Sequence, residues 1–212
     1  MSSIVMLAAA LLDGSAVLGI AERKGRTRAE REKRIIAAAR AIAESEGWGA
    51  VTIRRLADQI EYSQPVLYSH FANRDAIVAA VAVEGFRELT EALGEAASAS
   101  SGPQQGLTKV AAAYLDVAFR CPALYEAMFS LPTDLQFAKA ETRPELHAAF
   151  DALAAVVRPF GGDVGLVTET FWAALHGLAE LERSCRIRPG MRGERIAFVV
   201  SGIIASGSSS RN

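Results

Sequence analysis

Apolar residues recur at three- and four-residue spacing along most of the chain, and no run of alternating β-branched residues bounded by turns interrupts them. The pattern predicts an all-α protein. Thr27-Arg28-Ala29-Glu30 has the form of a capping box, which places the start of a first helix near Arg28, with Ile35, Ile36, Ala39, Ile42 and Ala43 as its buried stripe. Gly47-Trp48-Gly49 should end it near Glu46. Two short helices follow. In the first, Thr52 stands at the N-cap and Ile53, Leu56, Ala57 and Ile60 form the apolar face. In the second, Ser63 stands at the N-cap, Pro65 falls in the first turn, and Leu67 and Phe71 share the buried side. That leaves Gln64, Pro65, Val66, Tyr68, Ser69 and His70 pointing outward. Asn73 should cap a fourth helix reaching about Ala97, and the Ser/Gly/Pro/Gln stretch 98–106 reads as a loop.

Beyond the loop, helices are expected at about 104–120, 122–130, 132–139, 143–158, 163–185 and 191–205, punctuated by Pro122, Pro132, 159–162 and 189–190. Val164, Val167, Phe171, Leu175, Leu178 and Leu181 form one long stripe, and Ile196, Val199, Val200, Ile203 and Ile204 another. These faces have two uses, an internal core or contact with a second copy. Gly177 within a helix costs about 1 kcal/mol relative to alanine, which points to close approach by another helix. Phe119, Tyr125, Met128, Phe129, Phe137, Phe150, Trp172 and His176 are candidates for the wall of a small-molecule pocket. The same aromatic and methionine residues at helical spacing also read as ordinary core, and His176 as a hydrogen-bonded structural histidine.

Two short helices joined by a tight turn, the second exposing amide, hydroxyl and imidazole groups, suit the reading of a DNA major groove. Thr-Ile-Arg-Arg-Leu-Ala at 52–57 and Ser-Gln-Pro-Val-Leu-Tyr-Ser-His-Phe-Ala-Asn-Arg at 63–74 resemble the DNA-binding domain of the TetR/AcrR family of bacterial transcriptional regulators. The likeness extends from about Arg28 to Val83. Glu61 departs from the family pattern, which has glycine at that turn, and so implies mild strain or an altered turn. Phe171-Trp172-Ala173-Ala174-Leu175-His176-Gly177 resembles the Trp-x-x-x-His-Gly signature of one C-terminal subfamily.

Carried onto matching positions, the resemblance implies operator contacts from Thr52, Gln64, Pro65, Tyr68 and His70, with Arg54 and Arg74 on phosphates. Ser63 and Val66 join the same face, and Val66 offers apolar contact to a thymine methyl. The resemblance also implies a two-fold interface built from the last two helices, with Val167, Phe171, Leu175, Leu178, Val199, Val200 and Ile203 as its candidates.

A net charge of −1 over 212 residues looks unsuited to DNA until it is divided along the chain. Arg23, Lys24, Arg26, Arg28, Arg31, Lys33, Arg34 and Arg40 outnumber Glu30 and Glu32 by six, so the remainder carries −7 of the total −1. Positive charge gathered at one end favours phosphate contact, with Arg28 among the residues that serve it. The alternative is a solvated helix face with Glu30 and Arg34 as an i, i+4 pair.

Cys121 and Cys185 have no metal spacing, and suggest a reducing compartment and ordinary thiols. No phosphate loop, His-Glu-x-x-His or Gly-x-Ser-x-Gly motif appears, so neither an enzyme nor a cofactor or metal site is expected. Ile4 to Leu12 is apolar throughout, but Asp13 would cost roughly 2.5–3.5 kcal/mol at a membrane centre, and no basic residue precedes Arg23 as a signal peptide would require.

The expected organisation is an N-terminal extension over 1–22, poorly ordered or a short helix, a helix-turn-helix domain over 23–75, and a helical effector-binding and dimerisation domain over 76–212. The expected function is a cytoplasmic, homodimeric, ligand-responsive repressor with a palindromic DNA operator and a small-molecule effector as partners and no membrane attachment. A DNA-bending protein without an effector, which would bind many sequences alike, and a membrane-tethered helical interaction protein are the alternatives.

Overall fold

The computed structural model describes residues 3–133, 135 and 142–209, with side chains described for 25–133, 135 and 142–206. All regular structure among them is helical. Helix α1 spans Ser3–Glu46, α2 Ile53–Ile60, α3 Gln64–His70, α4 Arg74–Ser98 and α5 Pro103–Arg120. They are followed by α6 Pro122–Phe129, α7 Pro144–Val157, α8 Val164–Arg183 and α9 Arg192–Ser209.

Several boundaries follow from local chemistry. Thr52 caps α2 by accepting from the Arg55 N–H at 3.2 Å, Asn73 caps α4 through the Ala76 N–H at 2.8 Å, and Asp163 caps α8 through Leu166. Glu61 does adopt the left-handed region (φ 57°), and the Tyr62 N–H returns to the Ala57 carbonyl, closing α2 without glycine.

One expected start is corrected, and one expected cap lacks its bond. α1 runs through Thr27 and takes in the extension from residue 3, because the capping-box residues make a cap only where the chain leaves helical geometry, and here it does not. Ser63 occupies the N-cap of α3 with extended dihedrals, but its hydroxyl makes no capping bond. The expected helix at 132–139 falls mostly outside the described residues, and Pro132, Thr133 and Leu135 are not helical.

α4 serves both halves of the molecule. Its first turns pack on α1 and bury Ile77, Val78 and Val81 in the core, and its later turns carry Phe86, Leu89 and Leu93 into the body. There α4 packs on α5, α6 and α7, while α5 and α7 pack on α8. The halves are joined by directional bonds at the start of α6. Trp48 Nε1 donates to the Ala123 carbonyl at 2.8 Å, and the Glu44 carboxylate accepts from the N–H groups of Ala123 and Leu124 at 3.1 and 3.0 Å. Beside them Arg40 makes a two-pronged contact with Glu88. No described helix is long and apolar enough to cross a membrane.

Candidate DNA interface and ligand cavity

The outer face of α3 exposes Gln64, Pro65, Tyr68 and Ser69, with Val66 half-buried and Tyr68 54% exposed. Thr52 and Arg54 at the start of α2 and Ser63 in the turn lie exposed as well. Arg31 and Lys33 on α1, like Arg54, have no ion-pair partner among the described residues, so their charge is available to an incoming anion. Arg28 reaches from α1 to α3: it pairs with Glu32 at 3.0 Å and donates to the Ser69 carbonyl at 3.4 Å. Arg34 donates to the Tyr62 hydroxyl at 3.1 Å and covers its ring, and so stands apart from the expected pair with Glu30.

Two members of the expected DNA set are placed differently. His70 is turned inward, its side chain 5% exposed and its Nδ1 3.2 Å from Glu32, because Leu67 and His70 lie three residues apart on one helix face. That contact, more than Arg28, holds the Glu32 carboxyl below the usual carboxylate range. Arg74 donates to the carbonyls of Val51 at 2.9 Å and Trp48 at 2.7 Å, bracing the connection before α2 instead of reaching toward phosphates.

In the body lies a cavity of about 600 Å³, within the usual range for small-molecule sites. Phe86 and Leu89 of α4, Tyr114 of α5, Phe129 of α6, Leu146 and Leu153 of α7 and Trp172 of α8 supply most of its apolar wall. Phe150 and His176 line it too, as do Glu169 and His147. Of the expected pocket residues, therefore, Phe129, Phe150, Trp172 and His176 meet at one place.

Others do not. Phe119 is 66% exposed beneath the Arg192 guanidinium, Met128 is buried against α4, and Tyr125 lies behind the wall. Phe137 lies outside the described residues. Tyr114 went unrecognised in the sequence, although a hydroxyl-tipped residue in the Val110, Ala111, Tyr114, Leu115 stripe is a signal for a buried polar contact.

Polar groups run through one wall of the cavity. Trp172 Nε1 donates to the Tyr114 hydroxyl at 3.0 Å, Tyr114 and Tyr125 share a bond of 3.0 Å, and the Tyr125 hydroxyl lies 2.7 Å from His176 Nδ1. Burial pushes both tyrosines well above the ordinary phenol value and holds His176 below the ordinary imidazole value. All three are therefore uncharged near neutral pH. Among the described residues no group of three His, Cys, Asp or Glu is placed to hold a metal.

The last two helices correct the expected interface. Phe171 and Leu175 are fully buried within the chain, and Val200 and Ile203 are 3% and 7% exposed, because α5 and the turn after α7 cover that side. Val167, Leu178 and Val199 are half-buried at its margins. The opposite side is open and partly apolar, with Leu166 61%, Leu181 40% and Phe198 82% exposed. A Cβ placed on Gly177 or Gly202 would meet nothing within 4 Å, so the close neighbour implied by Gly177 is not found among the described residues.

A helix-turn-helix with a basic flank, set on a helical body with an apolar cavity, defines a DNA-binding regulator. Residues 35–81 match the family model described as bacterial regulatory proteins, tetR family, and 107–199 match that of the tetracyclin repressor-like C-terminal domain. The chain belongs to the TetR family of transcriptional regulators, and is not an enzyme. It is 32% identical over 96 residues to YobS of Bacillus subtilis, an uncharacterised HTH-type transcriptional regulator; that match covers 45% of this chain and 50% of the relative's length. A protein of unknown function from Rhodococcus sp. RHA1 has the same fold (TM-score 0.69, 23% identity, covering 82% of this chain and 94% of that one). So has BioQ with its natural double-stranded DNA operator (TM-score 0.60, 20% identity, covering 82% and 98%).

Proposed function

We propose that this regulator is a cytoplasmic, ligand-responsive repressor that binds a palindromic operator as a homodimer. Residues 23–75 form its reading unit, and 76–212 hold the effector and the second copy. The observation that carries the reading is the exposure of Gln64, Pro65 and Tyr68 on α3 beside the cations of α1. Gln64 and Tyr68 offer donors and acceptors to base edges, Val66 a methyl contact, and Arg28, Arg31, Lys33 and Arg54 charge for phosphates. Thr52 and Ser63 add hydroxyls at the start of each short helix.

A single α3 touches few base pairs, so specificity requires two copies. The open side of α8 and α9 supports this, since its small residues Ala173, Gly177 and Gly202 admit close helix approach between the larger Leu166, Leu181 and Phe198. The cavity supports the effector. Phe129 in its wall belongs to α6, whose first turn holds Trp48 and Glu44 of the reading unit, so a ligand pressing on α6 or α4 changes how the two reading units are spaced. Such a ligand weakens DNA binding only if it prefers the free dimer.

Selection of bound fragments from a random DNA pool tests this. The expected result is a two-fold consensus with half-site centres about 34–36 Å apart or a multiple of that. Recovery of no consensus sinks the repressor reading in favour of a DNA-bending protein.

A further inference from the structure

The bonds in the cavity wall have a direction. Tyr114 is fully buried and accepts the Trp172 N–H, so its single hydroxyl hydrogen has one use, the Tyr125 oxygen 3.0 Å away. Tyr125, also fully buried, then turns its own hydrogen to His176 Nδ1 at 2.7 Å. In the reverse direction Tyr114 would accept twice and its hydrogen would be stranded in the core, at a cost of about 1–3 kcal/mol. With Nδ1 accepting, a neutral His176 carries its hydrogen on Nε2.

His176 lines the cavity while Tyr125 lies behind it, so Nε2–H is the ring group left for an occupant. Protonating His176 would place a hydrogen on Nδ1, reverse the run of bonds and strand the Tyr114 hydrogen. The nearby arginines carry ion-pair partners: Arg183 pairs with Glu180 at 2.9 Å and lies over the Tyr125 ring, although its buried Nε has no hydrogen-bond partner among the described residues, and Arg87 pairs with Glu145 at 2.5 Å. No Lys or Arg is among the described residues of the wall, and Glu169 is. Among the described residues of the wall, an anionic occupant would therefore meet the Glu169 carboxylate and no Lys or Arg, with His147 the one other ionisable group besides His176 and Tyr114.

We infer that the cavity takes an uncharged, mainly apolar small molecule and holds one acceptor of it, a carbonyl oxygen, on the Nε2–H of His176. The inference rests on reading the cavity as the effector site. The aromatic wall of Phe86, Phe129, Phe150 and Trp172 takes the apolar body, and His176 sets which end enters first. Trp172 and His176, four residues apart on α8, are thus the two ends of one polar run, which is a physical reason for that pair at that spacing.

The test uses the full chain and three probes of similar size: propionylnaphthalene, propylnaphthalene and naphthoate. In the wild type the ketone should bind, naphthoate should bind more weakly than the ketone, and the ¹⁵N shifts of His176 should be those of the neutral Nε2–H form. In His176→Phe the affinity of the ketone relative to the hydrocarbon should fall about three- to tenfold, the worth of one neutral hydrogen bond. Retained propylnaphthalene binding shows that the cavity survives the substitution. A wild-type Nδ1–H form, an unchanged ratio in His176→Phe, tighter binding of naphthoate, or no probe binding at all overturns the inference. Release of DNA is read separately. A ketone held through His176 that leaves operator affinity unchanged sinks the effector reading alone, while DNA release by ligands with no carbonyl preference sinks this inference alone.

Discussion

Arg74 acts as a strut, although the family resemblance made it a candidate for phosphate contact. Its guanidinium satisfies the Trp48 and Val51 carbonyls where the chain turns from α1 toward α2. Bonds from a charged donor contribute about 1.5–3 kcal/mol each before losses elsewhere. Arg74→Ala should therefore lower stability by about 2 kcal/mol, or roughly 4–8 °C in melting temperature for a chain of this size, and leave the salt dependence of DNA binding unchanged. An unchanged melting temperature with a salt slope smaller by about one would restore the phosphate role. Sequence spacing shows which way a side chain leaves its helix, and His70, expected to point outward, is instead drawn to the buried side it shares with Leu67. It does not show what a long side chain reaches, which is why Arg74 was misplaced.

At the scale of elements, the sequence revealed most where local chemistry decides the structure. Thr52, Asn73 and the Pro122 start mark real helix ends because a cap or a missing N–H acts within one turn. The stripes of α8 and α9 were equally legible, but an apolar face carries no record of whether its cover is the same chain or another. Phe171, Leu175, Val200 and Ile203 prove to be covered internally. Close crossings are also invisible to periodicity. A Cβ on Gly85 of α4 would lie 2.6 Å from the Met128 sulfur and 2.9 Å from Leu124 Cδ1 on α6. Gly85→Val should cost about 1–3 kcal/mol by overpacking, with part regained when Met128→Ala is added. Denaturant melts of the single and double variants decide it, and a neutral or stabilising Gly85→Val would mean that α6 yields readily.

For the whole molecule, the proposed effector action runs from the cavity through the α6 junction to the reading unit, and the open side of α8 and α9 is the proposed face for a second copy. Aspartate at Phe198 tests the assembly cleanly, because the side chain is 82% exposed in the single chain and its replacement costs that chain little packing. In a dimer it would place a charge in an apolar contact. Phe198→Asp should sediment as a monomer with unchanged helical content and bind operator far more weakly; a variant that remains a dimer places the interface on another face.

The reading role of α3 itself is measured most directly by titrating operator and scrambled DNA of equal length with wild type, Gln64→Ala and Arg28→Ala. Gln64→Ala should lose roughly 1–3 kcal/mol on operator and little on scrambled DNA, whereas Arg28→Ala should weaken both alike and lower the salt slope by about one. Equal losses on the two DNAs for Gln64→Ala would contradict the account, since α3 would then hold DNA without reading it.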